Sequence, residues 1–258
     1  LNHLIDNVLV DQYLYQLKVE APQKLVDERF AQIDAEAKKS QQNLKEMLAK
    51  MFLSEEDLRR ELIGAVRWEK FLSRQADDKV LKDLFDKNPA MFNGSTVSAR
   101  HILLKSGPSA ADQAMGLKLG IEKAVADQVA KLPTTTPALT REQTRAALLV
   151  KTFGATAEKE STCPSKTRGG DLGTFPRVGA MVEPFAKAAF ELQPYQISNP
   201  VETQFGVHLI LCTQVTPGRP ITYEQAKPFV QEIYGERLRD AIVSKYRPIS
   251  KIVMNDAK

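Results

Sequence analysis

Apolar residues in the first hundred positions recur every three or four residues, the spacing of one helix face. Leu1, Leu4, Ile5, Val8, Leu9 and, further on, Leu17 mark a first helix. Pro22 interrupts and suits the first turn of a second, with Val26, Phe30, Ile33 and Ala37 on one face. Leu44, Met47, Leu48 and Met51 make a short third segment. Ser54 with Asp57 has the form of a cap before a longer helix lined by Leu58, Leu62, Ala65 and Leu72, with Trp68 and Phe71 to one side. Asp77 or Asp78 is placed to cap a fifth helix, which carries Leu81, Leu84 and Phe85 and ends at Asn88-Pro89. No strand pattern occurs here. The methionines and aromatics of this helical module suit either an adaptable peptide groove or an ordinary core, and the periodicity favours core.

The pattern then changes. Val97 to Lys105 reads as a strand with His101 inside it. Residues 111–132 return to helical spacing, Pro133-Thr-Thr-Thr-Pro137 is a loop, and 140–160 are helical with a break expected near Gly154. Turn-forming residues dominate 161–177. Pro184 to Leu192 predicts a short helix, and Val207-His-Leu-Ile-Leu-Cys212 a last strand. Strand, helices, loop and strand predict a small α+β domain. Residues 224–246 predict one long helix with Pro228 in its first turn and Phe229, Ile233, Leu238, Ile242 and Val243 on its apolar side. Ile249 to Met254 fits a short strand or extended segment.

Composition adds bounds. The 258 residues suffice for one large or two ordinary domains, and 43% apolar residues allow a real core. No apolar run approaches the roughly 20 residues of a membrane span. The chain begins with Leu1 and reads as trimmed, so a missing leader peptide says little. Net charge is +4, with 15 Lys+Arg against 17 Asp+Glu in residues 1–99 and 21 against 15 in the rest. That bias is far from a nucleic-acid stripe. Two cysteines exclude a disulfide scaffold.

Candidate chemistry gathers around Ser161-Thr-Cys-Pro-Ser-Lys-Thr-Arg-Gly-Gly-Asp-Leu-Gly-Thr-Phe-Pro-Arg177. Cys163 with His101 and His208 could be a nucleophile and base, although no cysteine-protease signature surrounds it. Cys163, Cys212, His101 and His208 have zinc-ligand chemistry but no zinc spacing. Cys212 reads as an inert buried thiol. Arg168-Gly-Gly-Asp-Leu-Gly173 lacks the setting of a dinucleotide loop and reads as a tight turn with positive φ.

Four ordered blocks, Ala99-Arg-His-Ile-Leu-Leu-Lys105, Cys163 to Phe175, Met181-Val-Glu-Pro-Phe185 and Phe205-Gly-Val-His-Leu-Ile210, resemble the parvulin peptidyl-prolyl cis-trans isomerases across about residues 96–215. The resemblance implies catalytic roles for His101, Cys163, Thr203 and His208. It places Leu172, Met181 and Phe185 in an apolar pocket for the substrate proline, with Phe205 beside it. It calls for no cofactor and no metal. Two departures stand out. About 20 residues around Pro133–Leu149 exceed a minimal parvulin and suggest a surface insertion or a lid. Only Lys105 follows the first strand, so the basic cluster that phospho-specific members share is missing; a dianion needs several donors. The implied activity is non-covalent rotation about Xaa-Pro bonds without a phosphate requirement. The alternative is peptide docking without turnover.

The long last helix needs an apolar partner, and the N-terminal helices offer one. The expected architecture is therefore a helical chaperone-like domain (1–95) completed by a C-terminal helix and tail (217–258), with an α+β parvulin domain (96–216) inserted. That arrangement, with Leu4 to Gln12 and Phe30 to Ile33, resembles SurA-type and PrsA-type extracytoplasmic foldases. The resemblance implies a periplasmic or cell-envelope location. Its implied partners are unfolded or partly folded proline-containing polypeptides, not nucleic acid, with no integral membrane segment and with an oligomer allowed.

Overall fold

A computed structural model describes residues 2–251 and residue 253. The chain divides into two compact units, one formed by residues 1–87 together with 223–258, the other by residues 88–222.

The first unit is helical: α1 (Asn2–Gln16), α2 (Gln23–Lys39), α3 (Leu44–Lys50), α4 (Glu55–Gln75) and α5 (Asp78–Lys87), joined much later by α9 (Tyr223–Tyr246). Three of the starts have a side-chain cap. Ser54 and Asp57 form a reciprocal capping box, with Asp57 N donating to Ser54 Oγ at 3.1 Å and Ser54 N to Asp57 Oδ2 at 2.9 Å. Asn43 caps α3 by accepting from Lys45 N and Glu46 N. Asp77 accepts from Val80 N at the start of α5. Tyr13, Trp68, Phe71, Leu238 and Tyr246 pack around buried Val10, Leu14 and Ile242, so these aromatics are core. Phe30, Ile33 and Leu58 close over Ala37, Leu44 and Leu48. Met47, Met51 and Phe52 face solvent instead, Phe52 at 97% exposure. Lys227–Asp78 and Arg247–Asp6 ion pairs tie α9 and its following turn to the N-terminal helices.

Two expectations for the tail change. Pro228 lies inside α9 rather than in its first turn, because the helix already begins at Tyr223; packing of Val230, Ile233 and Ile242 outweighs the one lost backbone hydrogen bond. Ile249 ends a 3-10 turn (Arg247–Ile249) and Ser250 is extended, while Ile252 and Met254 lie outside the described residues.

The second unit is an antiparallel four-stranded sheet in the order β2-β1-β4-β3, built from β1 (Thr96–Leu104), β2 (Asp171–Pro176), β3 (Val201–Thr203) and β4 (Gly206–Thr216). This is the α+β class expected. On one face, α6 (Ala110–Val129) and α7 (Ala138–Glu160) bury Ile102, Leu104, Leu209 and Leu211. On the other, Phe175 and α8 (Glu183–Glu191) cover Val97, Ala99, Ile210 and Cys212. With both faces covered, β4 is a continuous apolar run instead of an alternating one.

The edge strands β2 and β3 carry no apolar alternation, which is why sequence pattern passed over them. The expected break at Gly154 does not occur, and α7 is unbroken. Gly154 instead lets the helix approach the Gly169 backbone, whose Cα lies 3.6 Å from where a Gly154 Cβ would be. The residues around Pro133–Leu149 are no lid. They form the α6–α7 turn and the first half of α7, whose Ala146 and Leu149 are buried on the sheet face opposite the histidines.

Candidate active site

The register of the central strands builds the site. His101 lies opposite Ile210, and His208 opposite Leu103, so the histidines are diagonal neighbours on one face. Their Nδ1 atoms are 3.1 Å apart, and the rings are near parallel with centroids 5.4 Å apart. His101 Nε2 meets Ser165 Oγ at 3.1 Å, and His208 Nε2 meets Thr203 Oγ1 at 2.8 Å. A four-membered chain results: Ser165, His101, His208, Thr203. Thr203 Oγ1 also accepts from Phe205 N at 3.1 Å and reaches Gly206 O at 3.5 Å. Between two neutral imidazoles joined through Nδ1, one nitrogen carries the proton and the other accepts it.

Both histidines are buried. Burial, and for His101 also the neighbouring His208, pushes each down from 6.5 to about 4. At neutral pH the pair is uncharged. The Phe185 ring stands edge-on to both imidazoles, its centroid 5.8 Å from His101 and 5.2 Å from His208. Leu172, Met181 and Val182 are half-buried around Phe175 and Phe185. Phe185 is thus the floor of this apolar surface rather than its rim. Phe205, 60% exposed, stands in the β3–β4 turn beside Thr203.

Backbone geometry holds the polar side in place. Ser161 Oγ accepts from Leu103 N and from Cys163 N, and Thr162 N donates to Leu103 O, fastening residues 161–163 to β1. A 3-10 turn (Pro164–Arg168) then aims Ser165 at His101. Gly170, at φ +77, donates to Ser165 O and accepts from His101 N; a Cβ there would overlap the His101 carbonyl oxygen. Gly206, at φ +136, presses against the Leu104 carbonyl in the same way. Arg100 locks the turn from outside, donating to the Arg168 and Gly169 carbonyls and to Asp171 Oδ2.

The structure therefore links His101, His208 and Thr203 in one hydrogen-bonded chain with Phe185 against both imidazoles, while Leu172 and Met181 pack against the apolar cluster that contains Phe185. Cys163 is adjacent and half-buried, yet among the described residues no hydrogen bond links its Sγ to either histidine. Cys212 is buried in the α8 layer, where burial pushes its thiol up, and its Sγ donates to Gln214 O at 3.6 Å. Ser165 and Arg100 are the members that sequence reasoning missed. Ser165 lay inside the motif block, two residues after Cys163; only its polarity in a turn signalled it. A wider groove of about 770 Å³ lies between α6, α7 and residues 193–197, on the other side of the sheet from the histidines.

A buried, uncharged histidine pair thus stands against an aromatic floor on a four-stranded antiparallel sheet. The model of the PPIC-type PPIASE domain matches residues 101–214, and the chain belongs to this peptidyl-prolyl isomerase family. Among relatives, "Foldase protein PrsA" of Bacillus subtilis is 39% identical over 34% of this chain and 29% of its own length, so the match spans under a third of that protein. "Peptidyl-prolyl cis-trans isomerase NIMA-interacting 1" of Theileria annulata is 32% identical over 48% of this chain and 83% of its own length. The crystal structure of PrsA from Bacillus anthracis shares the fold across 98% of both chains, with a TM-score of 0.51 and 22% identity.

Proposed function

We propose that residues 88–222 catalyse cis–trans isomerisation of Xaa-Pro bonds in unphosphorylated polypeptide by non-covalent rotation. The observation that carries this is the neutral His101–His208 pair, with Phe185 edge-on to both rings. Rotation about a peptide bond meets a barrier of about 18–20 kcal/mol from its partial double bond. Leu172, Met181, Phe185 and Phe205 grip the proline ring where water is excluded, which weakens the charge-separated planar form of the amide. Ser165 and Thr203 fix the orientation of the imidazoles, which tune polarity at the rotating carbonyl. Attack by Cys163 is disfavoured, since among the described residues no base is hydrogen-bonded to its sulfur.

The helical unit binds unfolded segments of the same clients, supported by the exposed Met47, Met51 and Phe52. The chain acts outside the cytoplasm, as its likeness to PrsA-type foldases suggests. The test is NMR exchange on a short unphosphorylated Xaa-Pro peptide with the full chain, Met181→Ala and Phe205→Ala. Acceleration that falls in both variants supports turnover at this pocket. Peptide binding without acceleration by folded wild type would leave a docking module instead.

A further inference from the structure

Arg177 is the one buried Lys, Arg, Asp or Glu residue among the described residues. Its guanidinium donates to both oxygens of Glu183, at 2.7 Å to Oε2 and 2.8 Å to Oε1. The Arg177 side chain is 6% exposed, whereas Glu183 is half in water. A desolvated arginine is costly unless held in such a two-point contact. Among the described residues it makes no hydrogen bond to the histidine chain, so its cost is not explained by the chemistry of that chain.

Its position supplies a reason. Arg177 leaves the end of β2, and Glu183 is the first residue of α8. The residues between them include Gly179, at φ +85 with open space around it, and Met181. Among the described residues, no backbone hydrogen bond pins residues 178–181. Met181 nevertheless packs beside Phe175 and Phe185. The ion pair closes this loop at its base, so its five inner residues span a fixed gap. Glu183 is also held by the partial positive charge at the start of α8, which orients the acceptor.

We propose that Arg177, acting through Glu183, is a positioning residue that holds Met181 at the wall of the proline pocket and so sets affinity for the Xaa-Pro segment. This rests on the isomerase reading above. The loop grips the ring in ground and transition states alike, so loosening it raises KM more than it lowers kcat.

The test compares the full-length wild type with Arg177→Met, Glu183→Gln and the double variant. Two readouts are used: NMR exchange on an unphosphorylated Xaa-Pro peptide, and the ε-methyl signal of Met181 without peptide. Arg177→Met is expected to raise KM roughly tenfold or more, and Glu183→Gln several-fold, with kcat within about threefold of wild type. The double variant is expected to raise KM by less than the product of the two single effects, because both changes break the same Arg177–Glu183 contact. The Met181 methyl should shift toward a narrow, averaged position in every variant. Additive effects, an unchanged KM, or an unmoved Met181 methyl would each overturn the proposal. Glu183 is exposed, so Glu183→Gln decides the matter if Arg177→Met does not fold. If wild type neither accelerates nor binds peptide, the isomerase reading fails, while the free-state Met181 signal still reports whether the pair orders the loop.

Discussion

Acidification should weaken residues 88–222 before it affects ordinary surface contacts. His101 and His208 are each pushed from 6.5 to about 4 in the folded chain. A depressed histidine binds fewer protons folded than unfolded, so stability rises with pH between about 4 and 6.5. The contribution is complete above about 6.5 and lost as pH falls toward 4. Between pH 7 and 4.5 each histidine withdraws about 2 kcal/mol, and the pair about 4 kcal/mol. A domain's whole stability is about 5–15 kcal/mol, so the loss is a large share of it. The assay is urea unfolding of the full chain at pH 7 and 4.5, read by amide signals of β1 and β4. Trp68, the one tryptophan, reports the helical unit by fluorescence. Midpoints from the sheet should fall steeply on acidification, and the fall should shrink by about half in His208→Gln. Sheet midpoints that stay level between the two pH values would refute the assignment of two buried, neutral imidazoles.

Further outcomes are expected at the turn that faces the histidines. Gly170→Ala forces a Cβ into the His101 carbonyl at a positive φ, and should destabilise the sheet unit by more than about 2 kcal/mol in urea unfolding, with the helical unit's own probe moving less. Cys163→Asp should keep most isomerase turnover, because the cysteine sulfur is hydrogen-bonded to neither histidine; near-complete loss in a folded variant, measured by peptide exchange NMR, would revive a covalent role.

Legibility in the sequence followed periodicity. The helices of the first unit announced themselves through repeated apolar spacing and the Ser54–Asp57 cap. The two central strands showed as apolar runs, and the histidines within them were visible because a polar residue in a buried run is conspicuous. Edge strands β2 and β3 were invisible, since their exposed residues follow no pattern. Ser165 was missed for a related cause. A serine in a turn is ordinary, and only the fold of the 3-10 turn and Gly170 bring it to His101. Arg100 alternates with His101 along β1, which gave its face but not its reach to the Arg168 and Gly169 carbonyls. Arg177 was unreadable as a buried charge because its partner Glu183 looks like any acidic helix start. Gly154 misled in the opposite direction: a helix breaker by propensity, it serves close approach between α7 and the turn.

The interruption of the helical unit has a consequence for the order in which the chain assembles. Helix α9 must find α1 and α5 across the 135 residues of 88–222. Left as coil, that stretch makes closure slow and entropically costly. Once folded, its own two ends are clasped, because Arg219 N donates to Asn93 O at 2.8 Å and Gly218 lies against Asn93. The effective loop then shrinks from 135 residues to about ten, which relieves closure by about 2 kcal/mol. The folded insert thereby shortens the stretch of chain that must close between α5 and α9. A lesion deep in the sheet, such as the one at Gly170, would reach the helical unit through chain connectivity alone, without any altered contact there.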